Sequence, residues 1–201
     1  MESAKIKQSQ DVILMEPEQL SLFDIKSKPV FKSQQPTLTM SLDTLVAWKT
    51  RIFEYQQQVK GSQPAVQQTL FDLAPTHVDP DSIDPFLLTL QPISFYRMPV
   101  DGPGEACLYF VIDNALPLIL YVGETCQSNK RWKGTHDCKR YLTFYENLHR
   151  VHQLKTAVCM TFWWDAPIAT KPRQQLESAL IAKWKSPFNK QNWDVWGTPF
   201  V

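Results

Sequence analysis

Six residues stand in order in the second half of the chain: Tyr109, Tyr121, Arg131, His136, Glu177 and Asn189. Their types can do chemistry. An arginine offers a planar fork that matches a phosphate. A carboxylate can hold a hard divalent cation whose other positions go to water and phosphate oxygens. Tyrosine hydroxyls and an imidazole can pass a proton, tyrosine only when a nearby cation lowers its pKa from about 10. Together these groups suit phosphodiester hydrolysis, which needs an activated water, charge stabilisation on the phosphoryl oxygens and help for the leaving oxygen. Taken singly, each has a plainer use, since strand tyrosines pack and helix glutamates are usually solvated.

The surroundings of Arg131 are basic. Lys130, Lys133, Lys139 and Arg140 flank it, interleaved with Trp132 and Tyr141. This pattern fits a patch that tracks a phosphate backbone. The plainer alternative is a solvated helix face with Trp132 in the core. Cys126, His136 and Cys138 match no paired-ligand zinc spacing, and a fourth ligand is not evident.

The elements that must position these residues read as follows. ACLYFVID (106–113) and LILYVG (118–123) are apolar, β-rich runs joined by the short turn NALP, hence a hairpin. Residues on its two strands can face each other across the pair, which offers Tyr109 to Tyr121. A polar stretch follows, then a helix over 139–154 with Leu142, Tyr145, Leu148 and His149 or His152 at helical spacing. TAVCMTFWW (156–164) is a third strand. A last helix starts near Thr170 and Pro172, runs through Leu176, Leu180, Ile181 and Trp184, and ends before Pro187. The order β-β-α-β-α predicts an α+β domain, a small antiparallel sheet flanked by helices.

With these residues in place, the segment of about 104–192 resembles a GIY-YIG nuclease domain. Cys107-Leu108-Tyr109 corresponds to the first family motif and Tyr121-Val122-Gly123 to the second. The resemblance implies that Arg131 is the catalytic arginine, that His136 or else Tyr141 is its neighbour, that Glu177 is the metal-binding glutamate and that Asn189 is the late asparagine. It implies Mg2+ (or Mn2+) at Glu177, Tyr109 as general base or water-positioning group, assistance from Tyr121 and His136, and Asn189 binding or orienting the phosphate or the glutamate. Cys107 departs from the family's glycine, so a tighter or shifted first strand is expected there. Val122 replaces an isoleucine.

The rest of the chain has another character. The formal net charge is +1, from 21 Lys and Arg against 20 Asp and Glu. Alone, this argues against a protein that coats nucleic acid. Residues 1–84 hold eight basic and eleven acidic residues, a net of −3, and residues 85–201 hold thirteen and nine, a net of +4. All four Cys and six of the seven Trp lie after residue 85, whereas Gln, Ser and Pro crowd the first part, as in KSKPVFKSQQPT and APTHVDPDSIDPF. The reading is a largely extended tail over 1–84 and a domain over 85–201. The tail contains one helix, about 42–60, capped by Ser41 and closed by Gly61, which docks on the domain or on a partner. No apolar run reaches the roughly 18 residues of a membrane span, and the N-terminus does not read as a secretory signal. The cysteines then read as thiols in a reducing compartment, so the expected location is the cytoplasm, at the nucleoid.

QLSLF at 19–23 and QQTLF at 67–71 are short Leu-Phe motifs in polar sequence. They resemble the bacterial sliding-clamp-binding pentapeptide. Gln19, Leu20, Leu22 and Phe23, and in the looser copy Gln67, Leu70 and Phe71, would fill an apolar pocket with the glutamine at its rim. Two copies could act by avidity on one ring. Alternatively, the pairs dock on the chain's own domain. The resulting expectation is a Mg2+-dependent DNA endonuclease tethered to the replication clamp and acting on branched or damaged DNA in repair, recombination or fork processing. The alternatives are a clamp-associated DNA-binding adaptor without activity and an RNA-directed nuclease.

Overall fold

The computed structural model describes residues 40–62, 78–93, 105–128 and 137–197. All of them belong to one compact unit that begins at Leu38. The elements are α1 (Leu42–Gly61), β1 (Gln91–Pro92), β2 (Cys107–Asp113), β3 (Leu118–Thr125), α2 (Asp137–Val151), β4 (Val158–Trp163), α3 (Thr170–Trp184) and the short α4 (Trp193–Trp196). The four strands form one antiparallel sheet in the order β1-β4-β2-β3, so the architecture is α+β with a small sheet and packed helices. No described helix is long and apolar enough to cross a membrane.

The run CLYFVID is buried at all seven positions because β2 is an inner strand with both faces covered. One face carries Cys107, Tyr109 and Val111. It is closed by α1 through Leu45, Trp48 and Ile52 and by α2 through Leu142, Tyr145 and Leu148. The other face carries Leu108, Phe110, Ile112, Ile119 and Val122, closed by α3 through Leu176, Leu180, Ile181 and Trp184. Cys107 opens β2 in register with Thr125. The irregularity lies at the other end, where Leu120 is the extra residue between the pairs Val111–Tyr121 and Ile112–Ile119.

Two expectations about the first part of the chain change. The helix assigned to the tail is a core element. Ser41 caps it, its Oγ accepting from Thr44 N at 3.2 Å, and it runs through Gly61 to end at Ser62. Leu45 and Ile52 are fully buried, so the domain starts before α1 and not at residue 85. The stretch VDPDSIDPF, read as linker, is ordered as two 3-10 turns. Asp79 and Asp84 cap them by accepting from Asp81 N at 2.8 Å and Phe86 N at 2.9 Å. Ile83 is buried, and the Phe86 ring meets Trp184 edge-on at 5.7 Å. Satisfied turn amides and these apolar contacts offset the entropy that composition alone counted against the segment.

β3 is the outer strand of the sheet, so its outward peptide groups need partners elsewhere. Side chains and one loop supply them. Gln56 of α1 accepts from Ile119 N at 2.7 Å and donates to Ile119 O and Trp184 O, both at 3.0 Å. Phe188 N donates to Leu120 O at 2.9 Å. The Asn189 amide accepts from Val122 N at 2.9 Å and donates to Val122 O at 2.8 Å. Glu177 accepts from Glu124 N at 3.1 Å.

Candidate active site

The hairpin register places Tyr109 opposite Gly123 and leaves Tyr121 one step away on the same face. The two tyrosine rings stack at 6.1 Å and 28°. Gly123 is what permits this. A Cβ there would lie 2.3 Å from Tyr109 Cζ and 2.4 Å from its hydroxyl oxygen, so the ring lies directly across the glycine backbone. The Tyr109 hydroxyl thereby reaches the 123–124 segment of β3. From the opposite face of the sheet, Glu177 of α3 extends to the same segment, its Oε1 accepting from Glu124 N at 3.1 Å. Tyr109 is fully buried, while Tyr121 and Glu177 are half-buried. The role expected of Tyr109 as general base or water-positioning group therefore meets a hydroxyl closed off from solvent. Tyr109 and Glu177 approach β3 from opposite faces rather than sharing one exposed surface.

Asn189 joins this segment in another way. Its Oδ1 accepts from Val122 N and from Ser186 Oγ at 2.6 Å, and its Nδ2 donates to Val122 O. Both lone pairs of the amide oxygen are thus engaged and the residue is buried. Its role is to hold Val122 between the two site residues Tyr121 and Gly123, not to meet a phosphate directly. Tyr141, the alternative to His136, is a core residue packed against Phe188 at 5.8 Å and Trp193 at 6.1 Å.

Arg131, His136, Lys130 and Lys133 lie outside the described residues, as do Gln19, Leu20, Leu22, Phe23, Gln67, Leu70 and Phe71. Of the proposed basic patch, Lys139 and Arg140 are described in the first turn of α2, half-buried and exposed respectively. The Arg140 guanidinium lies 5.4 Å from the centre of the Tyr141 ring. Nearby, exposed Lys190 pairs with Asp137 at 2.8 Å, which holds the Lys190 pKa above its ordinary value.

Sequence reasoning missed two residues beside Glu177. Arg173 is buried one helical turn before it and pairs through Nε with the Glu124 carboxylate. Its NH1 group donates to Pro167 O at 3.0 Å and Ile168 O at 2.7 Å. The signals were Glu124 directly after Tyr121-Val122-Gly123 and the four-residue spacing of Arg173 and Glu177 on one helix. Cys107 is chemically quiet. Burial, above all, pushes its thiol up to about 12, so it fills space under the hairpin.

A hard cation fits the donor set here. Mg2+ is commonly held by one or two carboxylates, with water and phosphate completing its shell. Glu177 supplies a half-buried carboxylate that accepts from the Glu124 main-chain N–H. Among the described residues, no group of three or more His, Cys, Asp or Glu side chains could form a closed metal cage.

A second polar cluster sits at the opposite end of β2. Asp113 Oδ2 accepts from Lys49 Nζ at 3.0 Å and Tyr145 hydroxyl at 2.6 Å, and Oδ1 accepts from Ala115 N at 3.0 Å and Ala157 N at 2.9 Å. Lys49 Nζ also meets His149 Nε2 at 2.8 Å, and His149 Nδ1 lies 2.7 Å from Tyr145 O. With Lys49 donating to Nε2, the neutral Nδ1–H tautomer satisfies both ends of the imidazole. Burial alone would raise the Asp113 pKa. The bonds from Tyr145 and Ala157 and the charge of Lys49 outweigh it and hold it low. His149 is held below its ordinary value, first by burial and then by Lys49.

No protein-family model matches the chain, and no curated protein or solved structure matches it either.

Proposed function

We propose that the chain is a metal-dependent DNA endonuclease of GIY-YIG type. The observation that carries the reading is the meeting at residues 123–124. The Tyr109 ring crosses Gly123, and the Glu177 carboxylate binds the next peptide from the other face. The hydroxyl of half-buried Tyr121 and the carboxylate of half-buried Glu177, near the end of β3, are groups that suit hydrolysis of a phosphodiester. Tyr121, half-buried and stacked on the buried Tyr109, takes the proton of the attacking water or holds that water in line, and His136 assists. Arg131 binds a phosphoryl oxygen. Glu177 would hold Mg2+ or Mn2+, which when bound supplies Lewis acidity and stabilises the leaving oxygen. Asn189 keeps Val122, and so the second tyrosine and the glycine, in place. Lys130, Lys133, Lys139 and Arg140 track the DNA backbone. The tail motifs Gln19–Phe23 and Gln67–Phe71 tether the enzyme to the sliding clamp at the nucleoid, where branched or damaged DNA arises.

The test is a panel of branched, nicked and linear DNA, with matched RNA, incubated with the purified chain and Mg2+. Cleavage of DNA that is lost in Glu177→Ala and Tyr121→Phe is the expected result. If the folded wild-type chain cuts none of the panel but still binds it, the chain is a DNA-binding adaptor. Clamp affinity should fall in Leu22→Ala/Phe23→Ala combined with Leu70→Ala/Phe71→Ala, and unchanged affinity removes the tether.

A further inference from the structure

The Arg173–Glu124 pair is built into the segment that holds Glu177. Arg173 is 1% exposed, and its guanidinium engages three acceptors on two sides. On one side lie the loop carbonyls of Pro167 and Ile168, which lead into α3. On the other lies the Glu124 carboxylate, the side chain of the residue whose N–H holds Glu177. A planar guanidinium fixed at both ends is a rigid strut. It sets the height of the first turns of α3 against the end of β3. Glu177 sits one turn beyond Arg173, so the same strut sets where its carboxylate meets the Glu124 amide. It also pairs the second carboxylate of this corner, so that Glu124 is committed to Arg173.

We infer that Arg173 and Glu124 are positioning residues for Glu177: the guanidinium fixes Glu124, and the Glu124 N–H fixes the orientation in which Glu177 is presented to a divalent cation. The cation part of this inference rests on the nuclease reading. The positioning part does not. Groups behind a metal ligand commonly change metal affinity 10- to 100-fold when removed.

Two measurements separate these parts. The first is hydrogen exchange at the position-124 amide in metal-free protein. Arg173→Met should speed it about tenfold, as should Glu177→Ala, with the amides of β2 unchanged. The second is Mn2+ binding to the whole chain by electron paramagnetic resonance. Arg173→Met and Glu124→Ala should each weaken it about tenfold, whereas Glu124→Gln, which still accepts from Arg173 Nε, should stay within about twofold of wild type. If Arg173→Met proves poorly folded, the double change Arg173→Met/Glu124→Met removes both charges of the pair together and is read in the same way. A folded variant with unaltered exchange at position 124 overturns the inference. Faster exchange with unaltered Mn2+ affinity overturns its cation part. A wild-type chain that binds no Mn2+ overturns the nuclease reading instead, and the exchange rates then decide the positioning claim alone.

Discussion

The two ends of β2 carry polar clusters of opposite character. At the Asp113 end, Lys49, Asp113, Tyr145 and His149 are all buried and bonded to one another across α1, β2 and α2. At the Tyr109 end, Tyr121 and Glu177 stand half-buried, around a tyrosine whose ring lies over a glycine. The first cluster contains the richer collection of ionisable groups, and by residue type alone it would look the more chemical. It is closed on every side by its own partners, so a substrate could not reach it without unfolding α1. The lesson is that access and orientation, not the number of titratable groups, separate a site from a fastening. Buried polar networks of this kind are high-stakes for stability, because loss of one partner strands the others.

That contrast can be broken most decisively by exchanging the two acids. Glu177→Ala should lower the DNA cleavage rate by about 10²- to 10³-fold, the scale of losing one well-placed stabilising group, with a melting temperature close to wild type. Asp113→Ala should do the reverse, costing about 3–5 kcal/mol of stability by leaving Lys49 buried without its counter-ion. Its cleavage rate per folded molecule should stay near that of wild type. If Asp113→Ala abolishes cleavage while unfolding at the wild-type denaturant concentration, the two ends are not functionally distinct.

A smaller effect falls on the open end. Gly123→Ala puts a methyl group where the Tyr109 ring lies, at 2.3 Å from Cζ. The expected cost is about 1–3 kcal/mol, typical of forcing an extra methyl group into a packed site. Displacement of the ring should also lower the cleavage rate. Denaturant unfolding and single-turnover cleavage would measure both, and a variant unchanged in both would contradict the packing of Tyr109 over Gly123.

The smallest effect belongs to the closed end and to pH. The His149 pKa is depressed in the folded protein by burial, with Lys49 and His152 adding to it and Tyr145 O and Asp113 opposing it. A depressed group contributes stability that is present above its unfolded value of 6.5 and is lost as pH falls through the folded value. Asp113, also held low, acts in the same direction in stronger acid, below its ordinary 3.8. Urea unfolding should therefore show stability falling from pH 7 to pH 5, and His149→Gln should flatten that slope. A flat wild-type profile would show that His149 is not held neutral.

Much of this arrangement was legible in the residues. CLYFVID and LILYVG announced their strands because an inner hairpin needs apolar residues on both faces, and the tyrosine pair followed from cross-strand facing. α1 was legible as a helix but was misplaced, because the polar, proline-rich sequence around it carries no trace of partners as distant as Ile119 and Trp184. The same holds for VDPDSIDPF, which reads as linker because its composition does not reveal that Asp79 and Asp84 cap turns. The last helix was legible, but no pattern singled out Arg173. Only the tertiary structure reveals it as buried and tied to Glu124. Asn189 was found by pattern, but its partner Val122 lies 67 residues away and no local rule assigns it.

The closed outer edge of β3 has a consequence for where this chain can be cut. Bare strand edges invite pairing with strands of other molecules. Here Phe188 and Asn189 block that edge around Leu120 and Val122, and both lie beyond the last long helix. A chain trimmed after Lys185 would retain all four strands but lose Phe188 from the core on the Tyr109 face, and it would expose half of that edge to its neighbours. Its failing should then show as concentration-dependent aggregation into β-rich assemblies.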